Sequence, residues 1–325
     1  MSEKSARVRG RFAPTPSGRM HLGNVFSALV TWLSARSVGG EVVLRIEDLD
    51  PRARSRERAD ALMADLEWLG LTWDDGPYYQ SERGAIYAEA LSRLADAGLT
   101  YPCFCTRAEL HAASAPHASD GTPVYPGTCR DLSAEEVRRR SQTRVPATRL
   151  CVPDAADPAG TIKFRDLAYG PQREVLANEC GDFLVRRSDG VVAYQLAVVV
   201  DDALMGVNLV VRGRDLLGSC ARQTYLAGLL GWNAPAYGHV PLLVAPDGRR
   251  LSKREKDLDL GALRERGAAP ERIIGTLAAA IELTEPGDDV SAADLIGSFA
   301  WETIAAHPQD IVVDEVFLAR LCKKL

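Results

Sequence analysis

The sequence predicts an α/β fold with a doubly wound, mainly parallel sheet, and three observations point to it. Short apolar runs bounded by turn residues alternate with segments of helical periodicity, as in successive crossover units. The first unit joins an extended stretch at 8–12, breaks at Pro14, Pro16 and Gly18, and apolar residues at Val25, Ala28, Leu29, Trp32 and Leu33, which is helical spacing. The run Val42, Val43, Leu44 and Ile46 is nearly all apolar, as expected of a strand covered on both faces.

The remaining elements follow in order. The second strand comes after Gly39 and Gly40 and ends at Glu47 and Asp48. Ala59, Leu62, Met63, Leu66 and Leu69 share one helical face, and 86–94 repeats the style. From about Tyr101 to Arg149 the alternation gives way to Pro-, Ser-, Ala- and Cys-rich sequence. We read an inserted module, bounded at 101–179, between two parts of a catalytic core at 1–100 and 180–245. Strand-like runs resume at 193–200, 209–211 and 240–244. The region 246–325 opens with a basic loop and continues as helix: Pro270 can start a helix over 273–281, and Ser291 with Asp294 forms a capping box.

Composition narrows the class. The 325 residues are 46% hydrophobic and 26% charged, which is globular and enough for a sizeable core. No run reaches the apolar length of a membrane span, and the N-terminus lacks a signal-peptide hydrophobic region, so a cytoplasmic protein is expected. A net charge of −5 gives no global basic field, although RNA can still be held by local phosphate contacts. Local basic patches lie at Arg52, Arg54, Arg56 and Arg58, at Arg138 to Arg140, and around Lys253.

The first unit carries chemistry as well as structure. It sets His21, Leu22, Gly23 and Asn24 at a helix N-terminus, where unpaired amides and the helix dipole favour anions such as a polyphosphate. Gly23 allows close backbone approach to a base or ribose, and His21 can donate to phosphate oxygens as charge grows on a leaving pyrophosphate. Downstream, the turn Pro246-Asp247-Gly248 presents Arg249, Arg250, Ser252, Lys253, Arg254 and Lys256. Such a loop can close on phosphates, with Lys253 as a mobile point charge. Either segment alone is common on protein surfaces; the two in this order, each beside a strand-like run, form a paired nucleotide signature.

Seven cysteines make an odd number for a disulfide framework, and Cys103, Cys105 and Cys129 are grouped. Three thiolates on short turns suit a structural zinc site that needs a fourth ligand, for which Tyr125, His111 and His117 are the candidates. On spacing alone a histidine is the commoner choice. Cys151, Cys180, Cys220 and Cys322 are scattered and read as small packing residues.

The segments Arg-Phe-Ala-Pro-Thr-Pro-Ser-Gly-x-Met-His-Leu-Gly-Asn from Arg11, Leu-Arg-Ile-Glu-Asp-Leu-Asp from Leu44, Tyr-Gln-Leu-Ala-Val-Val-Val-Asp-Asp from Tyr194 and Val-Arg-Gly-Arg-Asp-Leu-Leu from Val211 resemble the catalytic core of bacterial glutamyl-tRNA synthetases, over roughly residues 7 to 257. They are closer still to the short paralogues of that family, the glutamyl-Q tRNA(Asp) synthetases, since only a short stretch follows Lys256 where a full-length glutamyl-tRNA synthetase carries an anticodon-binding region. The resemblance implies a Rossmann-like class I synthetase catalytic domain with a zinc-containing insertion and a helical C-terminal region. Glutamate would be held by Arg11, Phe12, Ala13, Pro14, Thr15, Glu47, Tyr194 and Arg212, and ATP by His21, Gly23, Asn24 and Lys253, with His21 and Lys253 catalytic. The pocket chemistry agrees: two carboxylates and one ammonium need cationic and hydroxyl donors together with one acceptor, Glu47. Zinc is implied at Cys103, Cys105, Cys129 and Tyr125, which reverses the preference for histidine. The second signature departs from its commonest form, Lys-Met-Ser-Lys-Ser, at Arg250, Leu251 and Arg254, but retains Lys253.

The expected reaction is activation of glutamate by ATP with magnesium, without tRNA, followed by transfer to queuosine in the anticodon loop of tRNA(Asp) by a monomer. A truncated glutamyl-tRNA synthetase that charges the acceptor end, a non-catalytic RNA-binding relative and an unrelated nucleotidyltransferase are the rival readings.

Overall fold

A computed structural model describes residues 7–112, 124–249 and 259–321. The first crossover unit runs from β1 (Arg9–Phe12) through α1 (Leu22–Arg36) to β2 (Glu41–Ile46), and α2 (Arg56–Trp68) leads to β3 (Asp75–Tyr79). The three strands are parallel in the order β1-β2-β3, with Phe12 opposite Leu44. All five residues that predicted the first helix are buried, and so are Val42, Val43, Leu44 and Ile46. α2 starts at a Ser55 cap, whose hydroxyl accepts the Arg58 N–H at 3.2 Å.

α3 (Gly84–Asp96) then leads into β4 (Thr100–Cys103), α4 (Arg107–Ala112), α5 (Ala134–Ser141) and β5 (Ala147–Leu150). A hairpin of β6 (Thr161–Asp166) and β7 (Gly170–Val175) is followed by α6 (Leu176–Glu179), β8 (Phe183–Arg186) and α7 (Tyr194–Leu204). β4, β5 and β8 form an antiparallel sheet beside the cysteine cluster. Next come β9 (Leu209–Gly213), α8 (Cys220–Leu229), β10 (Ala236–Val240) and β11 (Leu243–Val244). The second sheet has the order β7-β6-β10-β9, with β6, β10 and β9 parallel. The hairpin at 161–175, which the sequence reading included in the insertion, thus shares a sheet with β9 and β10.

β9 lies against β1, where Asn208 N–H donates to Arg9 O at 3.0 Å and the Asn208 amide oxygen accepts Arg9 N–H at 2.8 Å. The strands therefore read β3-β2-β1 on one side and β9-β10-β6 on the other. The order reverses between β1 and β9, the switch point where open α/β sheets hold ligands.

The expected strand at 193–200 is the helix α7. Its apolar run lacks a strand period because nearly the whole turn is buried, from Leu196 through Asp202, and an apolar run of this length fits either element. The run at 240–244 splits at Pro241 and Leu242 into β10 and β11.

The C-terminal region contains α9 (Leu260–Glu265), α10 (Pro270–Ala279), α11 (Trp301–Ala306), β12 (Ile311–Val312), paired with β11, and α12 (Glu315–Leu321). Pro270 is the first residue of its helix. Ser291 and Asp294 make the capping box reciprocally: Ser291 N–H donates to Asp294 at 2.9 Å, and Asp294 N–H donates to the Ser291 hydroxyl at 3.3 Å. This region packs tightly on β10, where a Cβ on Gly238 would lie 2.1 Å from the Trp301 ring. Among the described residues no helix is long and apolar enough to cross a membrane.

Candidate active site

A crevice of about 540 Å³ opens at the switch point. Its lining includes Arg11, Phe12, Ala13, Pro14, Thr15, His21, Gly23, Asn24, Glu47, Tyr194 and Arg212, so most of the site residues named from sequence meet in one place. Lys253 lies outside the described residues. The chain is fixed on both sides of 250–258, however. Arg249 O accepts Ala245 N–H at 2.8 Å, and at the far end Asp259 bridges to His21 while Leu260 N–H donates to Met20 O at 2.9 Å. The described residues that follow the second signature, Asp259 and Leu260, are therefore neighbours of the first.

On the phosphate-like side, His21 is the N-cap of α1, with no side-chain cap and no acidic residue in the first turn. Asn24 and Val25 amides both donate to His21 O, at 2.9 and 3.1 Å, which closes the turn and leaves its start facing the crevice. A Cβ on Gly23 would press the His21 ring at 3.3 Å, so glycine here makes room for the imidazole.

The charged side depends on a buried network. Arg11, at the end of β1, is buried; Nη1 donates to Val211 O at 2.9 Å, and Nε lies 3.7 Å from Asp202. Arg45 is 0% exposed and joins Asp202 at 2.6 Å, Glu47 at 3.2 Å and Asp201 at 3.7 Å. Asp201 has further partners in Arg83 at 2.6 Å and in Gln80 and Tyr87, both at 2.8 Å. Glu47 leaves β2 with its N–H donated to Pro14 O at 3.0 Å, which holds its carboxylate beside the 11–15 turn. Burial raises the Glu47 carboxyl above its ordinary value, and Arg45 and Arg11 pull it back only in part.

Arg212, expected to hold glutamate, has most of its guanidinium already engaged. Its Nε donates to His239 Nε2 at 3.1 Å, and Nη2 to Leu216 O at 3.2 Å and Cys220 Sγ at 3.1 Å. Only Nη1 faces Tyr194, 3.4 Å from the phenolic oxygen. Tyr194 is 37% exposed and begins α7, where a strand over 193–200 was expected. The crevice thus offers one guanidinium edge and one hydroxyl as a pair. Cys220, which sequence reading took as packing, is an acceptor in this arrangement.

Sequence patterning alone assigns no role to Arg45, Asp201, Asp202, Asp166 or His239. A charge inside each apolar run, as in Leu-Arg-Ile and Val-Val-Val-Asp-Asp, was the available signal, because buried charges are seldom found without partners.

Away from the crevice, Cys103, Cys105 and Cys129 bring their sulfurs within 4.8 Å of one another. Cys105 and Cys129 sulfurs are 3.6 Å apart, and the Tyr125 hydroxyl lies 3.5 Å from Cys103 and 3.7 Å from Cys105. Zn–S bonds of ~2.3 Å and a Zn–O bond of ~2.0 Å in a tetrahedron require edges of about 3.8 and 3.5 Å, so this donor set fits zinc. Burial alone would raise the Cys103 thiol, but hydrogen bonding with Tyr125 and Arg149 holds it below its ordinary value, whereas burial and the neighbouring thiols push Cys105 up to about 11, so the cluster without a cation favours one thiolate and not three. The side chain of His111 and the whole of His117 lie outside what the structure describes.

A sequence model of the class I tRNA synthetases (E and Q), catalytic domain, matches residues 7–303. The glutamyl-Q tRNA(Asp) synthetase of Symbiobacterium thermophilum is 49% identical over 320 residues, covering 94% of this chain and 97% of the relative. Glutamate–tRNA ligase 2 of Alkalilimnicola ehrlichii is 46% identical over 281 residues, which is 83% of this chain but 58% of that protein. A crystal structure of a glutamate tRNA ligase from Elizabethkingia meningosepticum in complex with its amino acid superimposes with a TM-score of 0.78 at 29% identity, covering 97% of this chain and 68% of that one. The chain belongs to the class I tRNA synthetases of the E and Q group, a family of ATP-dependent ligases, within which it resembles the short glutamyl-Q form.

Proposed function

We propose that this chain activates glutamate with ATP in the absence of tRNA and then transfers the glutamyl group to queuosine in the anticodon loop of tRNA(Asp), acting as a cytoplasmic monomer. The observation that carries the reading is the meeting of Arg11, Glu47, Tyr194 and Arg212 beside the N-terminus of α1 in one crevice. In this reading Glu47 takes the α-ammonium, while Arg11 and the Arg212–Tyr194 pair take the carboxylates, with residues Phe12 to Thr15 as the wall. His21, Gly23, Asn24 and Lys253 take the phosphates and nucleoside of Mg-ATP.

The α-carboxylate oxygen attacks the α-phosphorus in line, the bond from that phosphorus to the bridging oxygen breaks, and pyrophosphate leaves with the electron pair. His21 and Lys253 stabilise the charge that develops, so rate comes from positioning and electrostatics with no protein nucleophile. A hydroxyl of the RNA then attacks the glutamyl carbonyl and AMP leaves. Cys103, Cys105, Tyr125 and Cys129 would hold zinc, which would rigidify the cysteine-bearing part of the insertion around β4 and β5.

Near-complete coverage of relatives named glutamyl-Q tRNA(Asp) synthetase supports queuosine as acceptor. The 46% identity to a glutamate–tRNA ligase keeps acceptor-end charging as the second reading. Glutamate-dependent ATP/pyrophosphate exchange without tRNA is expected, followed by transfer to tRNA(Asp) that contains queuosine and none to the unmodified form. Transfer only to the terminal ribose of tRNA(Glu) would establish the second reading instead.

A further inference from the structure

Behind Arg212, on the side away from the crevice, lies a chain of buried groups that the proposed reaction does not use. Arg212 Nε is 3.1 Å from His239 Nε2. A guanidinium has hydrogens to donate and no lone pair to accept with, so His239 Nε2 is the unprotonated nitrogen. The hydrogen of the neutral ring then sits on Nδ1, 2.6 Å from Asp166 Oδ2. Asp166 is itself fixed, because Oδ1 accepts the Ala168 and Tyr169 N–H groups at 3.0 and 2.9 Å. Asp166 and His239 are each 0% exposed, on strands β6 and β10 that pair through Asp166 and Tyr237. Burial and the Arg212 charge hold the His239 ring below its ordinary pKa, against the pull of Asp166, which agrees with a neutral imidazole.

We propose that Asp166 and His239 are positioning residues for substrate binding. The carboxylate selects the ring tautomer, the tautomer supplies the acceptor for Arg212 Nε, and the guanidinium is thereby aimed with Nη1 beside the Tyr194 hydroxyl. Without that acceptor Arg212 retains a carbonyl and a thiol on Nη2, and a thiol is a weak acceptor that does not fix the plane. The inference rests on the reading of Arg212 as a ligand to a glutamate carboxylate.

Asp166→Asn separates this role from a merely structural one. The amide oxygen can still accept from Ala168 and Tyr169, while its NH₂ replaces Oδ2 and donates to His239 Nδ1. The ring hydrogen is driven to Nε2, where it opposes the Arg212 N–H. Long-range ¹H–¹⁵N correlation of the imidazole, assigned by its loss in His239→Gln, is expected to show Nδ1–H in the unsubstituted protein and Nε2–H in Asp166→Asn. In pyrophosphate exchange the KM for glutamate should rise about tenfold, the order expected when a hydrogen bond to a charged group is lost, with the KM for ATP within about twofold. His239→Leu should show the same split, and His239→Gln, whose amide oxygen can stand in for Nε2, should recover part of it. An Nε2–H ring in the unsubstituted protein overturns the proposal. So does an unchanged glutamate KM in both Asp166→Asn and His239→Leu, or an equal rise for ATP. Failure of the unsubstituted protein to exchange pyrophosphate with glutamate would count against the parent reading, and the ring tautomer would still decide the relay.

Discussion

Replacing Arg45 with Met tests whether the crevice is held by its buried charges. Met keeps much of the volume of the arginine stem and removes the cation that faces Asp202 at 2.6 Å, Glu47 at 3.2 Å and Asp201 at 3.7 Å. The three acids are not equally dependent on it. Asp201 retains Arg83, Gln80 and Tyr87. Asp202 is left with Arg11, whose Nε is 3.7 Å away. Each opposite charge at ~4 Å is worth about 4 kcal/mol at an effective dielectric constant of ~20, and breaking a buried pair costs about 3–5 kcal/mol once the orphaned ion is counted. Urea denaturation of Arg45→Met should show a loss in that range. Adding Asp202→Asn should recover part of it by removing the orphaned charge, whereas Asp201→Asn should recover none. A loss below about 1 kcal/mol, or equal recovery from the two asparagines, refutes the reasoning.

Two further outcomes follow from the chemistry of the sites. Tyr125→Phe removes the oxygen that completes the tetrahedron, so zinc affinity in chelator competition should fall at least ~10–100-fold, the scale seen even for lost supporting contacts, while His111→Ala and His117→Ala leave it unchanged; the opposite pattern would move the fourth ligand to a histidine. Glu47, with its pKa raised above 4.5 by burial, should bind the substrate ammonium better as pH rises through that value, so the KM for glutamate falls with increasing pH. A raised folded pKa means that the stability contribution of this carboxyl is full below 4.5 and lost as pH rises, so binding and stability move in opposite directions. Glu47→Gln should flatten its share of both profiles, and an undiminished slope in that variant would assign the titration elsewhere.

The sequence was most legible where local chemistry dictates local structure. The Pro/Gly break before α1, the apolar spacing inside it and the Pro270 start each depend on neighbours within a few residues, and each element formed where expected. α7 does not announce itself as a helix, because burial on nearly all sides erases the period that separates helix from strand. The hairpin at 161–175 was hidden differently: Thr161–Asp166 alternates with charged residues, and its place beside β10 depends on residues 73 positions away. The same separation hid the partners of Arg212. An arginine in a strand reads as a donor, but which of its edges is free depends on His239, Leu216 and Cys220, which only the fold brings to it.

The adjacency of β1 and β9 also orders events during synthesis. Arg11 Nη1 and its acceptor Val211 O are 200 residues apart, so the two walls of the crevice cannot meet until the second strand has been made. An N-terminal chain ending before Leu209 holds the first signature and Glu47 but has neither Arg212 nor the strand that covers Arg11. Long-range closure of this kind is slow relative to helix and hairpin formation. The emerging polypeptide therefore acquires its helices first and its ligand crevice among its last features, and small-molecule binding reports arrival at the native state.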